Sequence, residues 1–129
     1  MVNKKYIPER GDVVWLNFNP QMGHEQKGKR PAIVISPKEY NEKVNLGLFC
    51  PITSKEKNYP FEVKIKNEKI DGVVLSDQIK SLDWTKRGID YIIKATEDEI
   101  NEVLNKIGVL INRMPESAGA GRKALMAFG

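Results

Sequence analysis

The chain has 129 residues, which is the length of a single domain, and 40% of them are apolar, enough for one compact core. Its only cysteine, Cys50, excludes an internal disulfide, and no apolar stretch approaches the length of a membrane span. Because the first residues also lack the apolar core of a signal peptide, we expect a soluble cytoplasmic protein with no membrane partner.

The positive charge is concentrated in the body of the chain. The whole sequence has a net charge of +4, residues 1–95 have a net charge of +5, and residues 96–112 have a net charge of −3. A basic surface on the body can attract a polyanion such as nucleic acid, although many ordinary proteins have a similar balance.

Short apolar runs separated by polar turns predict a chain of strands. The runs are rich in β-branched and aromatic residues or alternate apolar with charged side chains, and turn-forming residues separate them. The predicted strands are 13–18, 31–36, 46–52, 61–65, 73–75 and 79–84. The last of these lacks clean alternation, which indicates a bend or bulge. Residues 37–43 are predicted to form a short helical turn or loop.

One convincing helix closes the predicted domain. Thr96 is a good N-cap, and Glu99 stands at the position that completes a capping box. The apolar residues that follow fall on one helical face; they are Ile100, Val103, Leu104, Ile107 and Ile111. The pattern predicts a mainly-β domain over 1–112, a strongly bent antiparallel sheet or small barrel, followed by a separate tail over 113–129.

Two polar loops lie next to predicted strands and carry candidate site residues. Pro31 disfavours the helical region for Arg30, so Arg30 is expected to be extended at a strand entrance and able to present its planar fork to a phosphate. Thr53 ends the third predicted strand and can offer its hydroxyl and its amide to a phosphate oxygen. Taken alone, a surface ion pair for Arg30 and a turn-initiating role for Thr53 are the more common explanations.

The sequence predicts neither a metal site nor a cofactor. His24 is the only histidine, and no cluster has the spacing of metal ligands. There is also no glycine-rich loop of a nucleotide-binding type. The remaining chemistry belongs to Arg, Glu, Thr and backbone amides, a set that suits RNA cleavage because the 2′-OH of the substrate is itself the nucleophile.

Several motifs in register resemble the MazF/PemK family of bacterial toxin–antitoxin systems. The resemblance covers roughly residues 6–112, and the closing helix follows the motifs as it does in the family. The matching stretches are 10–15, 23–37, 51–53, 59–63 and 71–81. Several motifs in one order are far more specific than any single motif.

The resemblance implies an SH3-like barrel of antiparallel strands with one C-terminal α-helix, assembled as a homodimer with RNA lying across or beside the interface. It implies metal-independent cleavage of single-stranded RNA at a short sequence, leaving a 2′,3′-cyclic phosphate and a 5′-OH. It also implies a small MazE-like antitoxin, whose acidic disordered tail would cover the groove that RNA uses.

The same resemblance assigns roles to individual residues. Arg30 matches the catalytic arginine, as general acid or stabiliser of the phosphorane, and Thr53 matches the threonine that holds the scissile phosphate. Glu25 matches a loop carboxylate that is the candidate base. The RNA contacts that the resemblance suggests are Gln26, Asp77, Gln78 and Lys80, and Lys29 and Lys55 in the two polar loops are further candidates.

Some of these assignments have open alternatives. The family pattern gives no role to His24 or Lys29, and Lys29 is a candidate only as a lysine of the first polar loop. The stretch 77–80 could instead be a structural turn. Trp15 and Trp84 could stack on bases, although core or interface packing is favoured for Trp15.

Two other functions are compatible with the same fold. CcdB-like toxins poison DNA gyrase and cut nothing, and fold alone does not separate them from nucleases. They depend on a tryptophan at the end of the C-terminal helix, whereas this helix ends in the tryptophan-free segment 109–112. A noncatalytic RNA- or protein-binding barrel would bind its partner and leave RNA whole.

Overall fold

A computed structural model describes residues 5–18 and 28–112 of the chain. These ranges contain seven strands and two α-helices. The strands are β1 (Asp12–Asn17), β2 (Lys29–Val34), β3 (Gly47–Thr53), β4 (Glu62–Lys66), β5 (Asp71–Leu75), β6 (Lys80–Leu82) and β7 (Asp90–Lys94). The helices are α1 (Lys38–Val44) and α2 (Glu97–Ile111), and a 3₁₀ turn spans Trp84–Lys86. The tail 113–129 lies outside the described residues.

All strand pairs in the described ranges are antiparallel, in the order β4-β5-β3-β2-β1-β7. On the side of β3 away from β2, its first residues pair with β6 and its last residues pair with β5. This division of one strand between two partners bends the sheet into a half-barrel. The predicted fold class, mainly β with antiparallel strands and one C-terminal α-helix, is confirmed.

The central strands are buried on both faces because successive side chains of a strand point in opposite directions. Val13 packs on the side of the sheet that α2 covers, and the next residue, Val14, packs on the other side. The α2 side also contains Ile33, Cys50, Val63, Ile100, Val103 and Ile107. The opposite side also contains Leu16, Ala32, Val34, Phe49, Leu82 and Trp84. Strands β1 to β3 therefore contribute side chains to the core on both sides of the sheet.

Helix α2 begins as the sequence predicted. The Glu99 amide donates to Thr96 Oγ1 over 3.1 Å, and the Thr96 amide donates to Glu99 Oε1 over 2.9 Å, so both halves of the capping box form. Its buried residues are Ile100, Val103 and Ile107. Ile111 follows on the same helical face but is 73% exposed, so the buried part of this face ends one turn earlier.

The predicted strand over 79–84 was too long. β6 ends at Leu82, and the Asp83 carboxylate then accepts a hydrogen bond from the Thr85 amide over 3.0 Å, which starts the 3₁₀ turn. Trp84 is buried in this turn and donates its indole N–H to the Asn41 carbonyl over 3.2 Å. Base stacking by Trp84 is therefore excluded.

Two elements were absent from the prediction or were only partly predicted. β7 was missed, although it pairs with β1 across a bulge between Val13 and Val14. Residues 37–43 were predicted as a helical turn or loop, and α1 occupies most of this range. Asn41 holds α1 against the preceding chain, because its buried side-chain amide donates to the carbonyls of Pro8 and Ser36. No helix in the described ranges combines the length and apolar character needed to cross a membrane.

Candidate active site

The pairing of β2 with β3 brings the two main candidate residues together. Ala32 lies opposite Pro51 in this ladder, and extending the register by two residues on each strand aligns Arg30 with Thr53. Both residues line one cleft of about 390 Å³, which we call the Arg30 cleft. Its lining consists of Trp15, Arg30, Pro31, Ile52, Thr53, Ser54, Lys69, Ile70 and Asp71. Residues that are distant in sequence thus share one surface because their strands are neighbours.

Arg30 is the second residue of β2, and it pairs with Leu16 of β1. Its side chain is exposed, and no carboxylate forms an ion pair with it within 5–18 and 28–112. The alternative of a surface ion pair is therefore not realised among these residues. A guanidinium held on a buried strand, with its fork directed to solvent, is suited to binding a phosphate.

Thr53 ends β3 against a close backbone neighbour. Its Oγ1 accepts a hydrogen bond from the Lys55 amide over 3.1 Å, so the predicted turn-initiating role is also present. The hydroxyl proton remains able to donate to a phosphate oxygen, because a hydroxyl donates and accepts at the same time. Gly72 of β5 lies directly beside Thr53, and a Cβ at Gly72 would be 2.5 Å from the Thr53 carbonyl oxygen.

Trp15 adds an aromatic surface to the Arg30 cleft. Core or interface packing was favoured for Trp15 from the sequence. Its side chain is 41% exposed in the chain and lines the cleft beside Arg30, so it is not a core residue, and interface packing stays a prediction. Aromatic rings at such positions stack on unpaired bases, whatever the identity of the base.

A second cleft of about 550 Å³ continues from Thr53, and we call it the Tyr59 cleft. It contains three of the residues that were predicted to contact RNA, and loop 54–60 forms one of its walls. Its lining consists of Thr53, Lys55, Lys57, Asn58, Tyr59, Pro60, Glu62, Leu75, Asp77 and Gln78. Thr53 belongs to both clefts, so the two clefts adjoin at this residue.

The far wall of the Tyr59 cleft is a tight turn. The Gln78 amide donates to the Leu75 carbonyl over 3.1 Å, so the structural-turn alternative holds for Asp77 and Gln78, which also line the cleft, whereas Lys80 begins β6. Tyr59 donates its hydroxyl proton to Asp77 Oδ2 over 2.9 Å. This hydrogen bond to the carboxylate raises the pKa of Tyr59, so the ring remains neutral and its hydroxyl remains a donor.

Two predicted RNA contacts lie away from both clefts. Lys29 forms an ion pair with Asp90 of β7, with Nζ and Oδ2 2.9 Å apart. Lys80 Nζ lies 6.0 Å from the centre of the Phe18 ring. Neither side chain lines the Arg30 cleft or the Tyr59 cleft. Glu25 and Gln26, the candidate base and a further candidate contact, lie outside the described residues.

The described residues also limit other chemistry. Within 5–18 and 28–112, no group of three or more His, Cys, Asp or Glu side chains is placed to hold a metal ion. Burial raises the pKa of the Cys50 thiol to about 12, so the thiol is not a nucleophile at neutral pH. Lys57 and Tyr59 also line the Tyr59 cleft but were not among the predicted site residues, although Tyr59 begins the matching stretch 59–63.

Comparison with known proteins places the chain among toxins. A family model described as PemK-like, MazF-like toxin of type II toxin–antitoxin system matches residues 9–111. The chain is 43% identical over 107 residues to the endoribonuclease toxin MazF of Escherichia coli K12, covering 83% of this chain and 96% of that protein.

Solved structures agree with this comparison. MazF (Form-I) from Deinococcus radiodurans matches with a TM-score of 0.76 at 46% identity, covering 84% of this chain and 100% of that one. A MazE–MazF complex (Form-II) from the same organism matches with a TM-score of 0.76 at 40% identity, covering 85% of this chain and 100% of that one. The chain therefore belongs to the PemK/MazF family of toxins of type II toxin–antitoxin systems.

Proposed function

We propose that this protein is an endoribonuclease toxin that cleaves single-stranded RNA along the path formed by the Arg30 and Tyr59 clefts. The observation that carries the proposal is that Arg30 and Thr53, on the paired strands β2 and β3, line one cleft. Its relatives in Escherichia coli are endoribonucleases, and they match this chain over almost their whole length.

The proposed reaction is a transesterification that the substrate itself begins. The 2′-OH of one nucleotide attacks the adjacent phosphorus, the bond to the 5′ oxygen of the next nucleotide breaks, and the products carry a 2′,3′-cyclic phosphate and a 5′-OH. Thr53 donates a hydrogen bond that holds the scissile phosphate, and Arg30 stabilises the charge of the phosphorane or protonates the leaving oxygen. Glu25 is the proposed base that accepts the 2′-OH proton.

The test is the incubation of purified protein with a long, sequence-diverse single-stranded RNA in excess EDTA. We expect discrete fragments from the wild type and a loss on the order of 10²–10³ in rate for Arg30→Ala, the cost of removing one charge-stabilising donor. Lys43→Ala is the matched control, because Lys43 is an exposed cation on α1 that lines neither cleft.

Three other outcomes would contradict parts of the proposal. RNA that stays intact but binds to the folded protein would favour a noncatalytic RNA-binding barrel. Cleavage that EDTA abolishes would overturn the metal-independent reaction, and equal cleavage by Arg30→Ala would remove Arg30 from it.

We further propose that the active unit is a homodimer of the domain 1–112, inhibited by a MazE-like antitoxin. Complexes of MazE with MazF are known for a Deinococcus radiodurans relative, which supports the antitoxin as partner. Sedimentation of the chain truncated after residue 112 should give twice the mass of one chain, and that truncated form should still cleave RNA. A truncated chain that sediments as a monomer but cleaves normally would contradict the dimer.

A further inference from the structure

The loop that forms one wall of the Tyr59 cleft is unusually well anchored for a surface loop. Residues 54–60 join β3 to β4, and Lys55 and Lys57 on this loop are exposed and line the cleft. Exposed loops of this kind lack strand partners for their backbone groups, and they are usually mobile for that reason. What fixes this loop determines whether its lysines are prearranged for a substrate.

Glu62, the first residue of β4, supplies the missing partner. Its two carboxylate oxygens accept hydrogen bonds from the Lys57 amide over 3.2 and 3.1 Å, and Oε1 also accepts one from the Tyr59 amide over 3.3 Å. Its own amide donates to the Tyr59 carbonyl over 2.9 Å. Asn58, between the two bound amides, adopts a left-handed conformation with φ of 57°. Asparagine tolerates this conformation better than most residues, and the carboxylate accepts hydrogen bonds from the amides on both sides of it.

The far end of the loop is tied down independently. Tyr59 donates to Asp77 on the facing turn, and Lys106 of α2 donates from Nζ to the Pro60 carbonyl over 2.5 Å. Loss of the Glu62 carboxylate would therefore release the segment around Lys57 without detaching the loop from the rest of the fold.

The negative charge of Glu62 needs an explanation other than direct RNA binding. Glu62 lines a cleft that, on the proposed function, receives a polyanion, and by charge alone a carboxylate there weakens RNA binding. Its oxygens accept hydrogen bonds from backbone amides of the loop. We infer that Glu62 is a positioning residue, whose carboxylate prearranges loop 54–60 so that Lys57 and Lys55 meet RNA phosphates. This inference rests on the proposed function.

Whether KM for RNA rises or falls when Glu62 is replaced distinguishes a positioning role from a simple effect of its charge. Glu56→Gln is the matched control, because Glu56 lies in the same loop and its carboxylate pairs with Lys64 at the surface, 3.4 Å away. Removing that charge should leave KM unchanged or lower it. Glu62→Ala removes the same charge but frees the loop, so we expect KM to rise roughly fivefold, with kcat at saturating RNA within about twofold of wild type. Glu62→Gln keeps one acceptor oxygen and should lie between the two.

Salt dependence and hydrogen exchange provide readouts that a loss of stability alone would not produce. In Glu62→Ala, the slope of log binding constant against log salt concentration should flatten by about 0.7 for each RNA phosphate that the loop lysines no longer neutralise. The amides of Lys57 and Tyr59 should be protected from exchange in the wild type and should exchange faster in the variant.

The outcomes are distinguishable from those of the proposed function. If the wild type does not cleave RNA, the proposed function fails, and hydrogen exchange alone then reports on the loop. If the wild type cleaves but Glu62→Ala lowers KM as Glu56→Gln does, or leaves amide exchange unchanged, the positioning role is overturned. Should Glu62→Ala not fold, as judged by thermal unfolding, Glu62→Gln is compared with Glu56→Gln in the same measurements.

Discussion

Thr53 is the residue at which the two clefts meet, so the atoms around it influence the site more directly than any others. Its backbone is fixed by pairing with Val73 of β5, and its carbonyl lies directly beside Gly72. Arg30, by contrast, is exposed and has freedom to adjust its long side chain. Small displacements of Thr53 should therefore affect catalysis more than equal displacements of Arg30.

Gly72→Ala tests this sensitivity. The added Cβ would be 2.5 Å from the Thr53 carbonyl oxygen and 3.1 Å from its carbonyl carbon, so β3 and β5 must separate at the site. We expect a loss of about 1–3 kcal/mol in the free energy of unfolding, typical of overpacking, and a fall in kcat/KM of roughly tenfold or more. Chemical denaturation and cleavage kinetics of the folded variant provide both numbers.

Gly108→Ala is the control for that substitution. Gly108 lies within α2, and the nearest atom to its added Cβ would be 3.5 Å away, an ordinary contact. The substitution should stabilise the protein by up to about 1 kcal/mol through helix propensity and should leave cleavage unchanged. Equal losses of activity in both variants would show that Gly72 has no special relation to Thr53.

The Cys50 thiol should be protected in the native state. Burial raises its pKa from the ordinary 9.0 to about 12. A raised pKa in the folded state contributes stability that is fully present below pH 9 and is lost as the pH rises toward 12. We therefore expect no alkylation of the folded protein at about pH 8, rapid alkylation in denaturant, and a falling free energy of unfolding above pH 9. Rapid alkylation of the folded chain would contradict this.

At the scale of secondary structure, elements with strong local signals were predictable from the sequence and those set by distant partners were not. β4 alternates buried Val63 and Ile65 with exposed Lys64 and Lys66, as its sequence pattern indicated. β7 is an edge strand whose residues are all at least partly exposed, so it lacks the apolar pattern that identifies a strand. Its conformation comes from pairing with β1, which is a contact between distant parts of the chain.

In the candidate site, too, the residues with local signals were predictable and the contacts between distant strands were not. Arg30 and Thr53 were identified from motifs next to strands, and the family resemblance carried their roles. Their shared cleft depends on the register between β2 and β3, which no local pattern specifies. The engagement of Lys29 by Asp90 was likewise unpredictable, because it depends on the position of β7.

The capping box of α2 provides a prediction for one element. Thr96→Ala removes the hydroxyl that accepts from the Glu99 amide, and we expect a loss of about 1 kcal/mol in the free energy of unfolding. RNA cleavage should be unaffected, since neither residue lines a cleft. Glu102→Gln, an exposed change in the same helix outside the capping box, should be neutral. A neutral Thr96→Ala would mean that packing alone defines the start of the helix.

At the scale of the whole molecule, the distribution of lysines matters more than the net charge of +4. Lys55 and Lys57 line the Tyr59 cleft, while Lys29 is held by Asp90 and Lys80 lies over an aromatic ring. Only part of the basic surface therefore faces the proposed RNA path.

Single lysine substitutions test which part of that surface binds RNA. Lys55→Ala should weaken RNA binding and reduce the salt slope by about 0.7, the value for one phosphate of a single strand. Lys29→Ala removes the same charge but lies outside both clefts, so its slope should match wild type. Fluorescence titrations over a range of salt concentrations measure both variants. Equal slopes for the two variants would show that RNA follows another route.

The separation of the doubly buried strands from loop 54–60 has a consequence for how new cutting specificities arise. Arg30 and Thr53 lie on β2 and β3, whereas the wall of the Tyr59 cleft is a short loop held by the Glu62 carboxylate, by the Tyr59–Asp77 hydrogen bond and by Lys106 of α2. On the proposed function, we expect that a graft of another relative's loop, carrying its own partner for the loop amides at position 62, would exchange the surface that meets RNA and would leave Arg30 and Thr53 in place. A change of cutting specificity would then require changes only in the seven residues 54–60 and in the side chains that hold them.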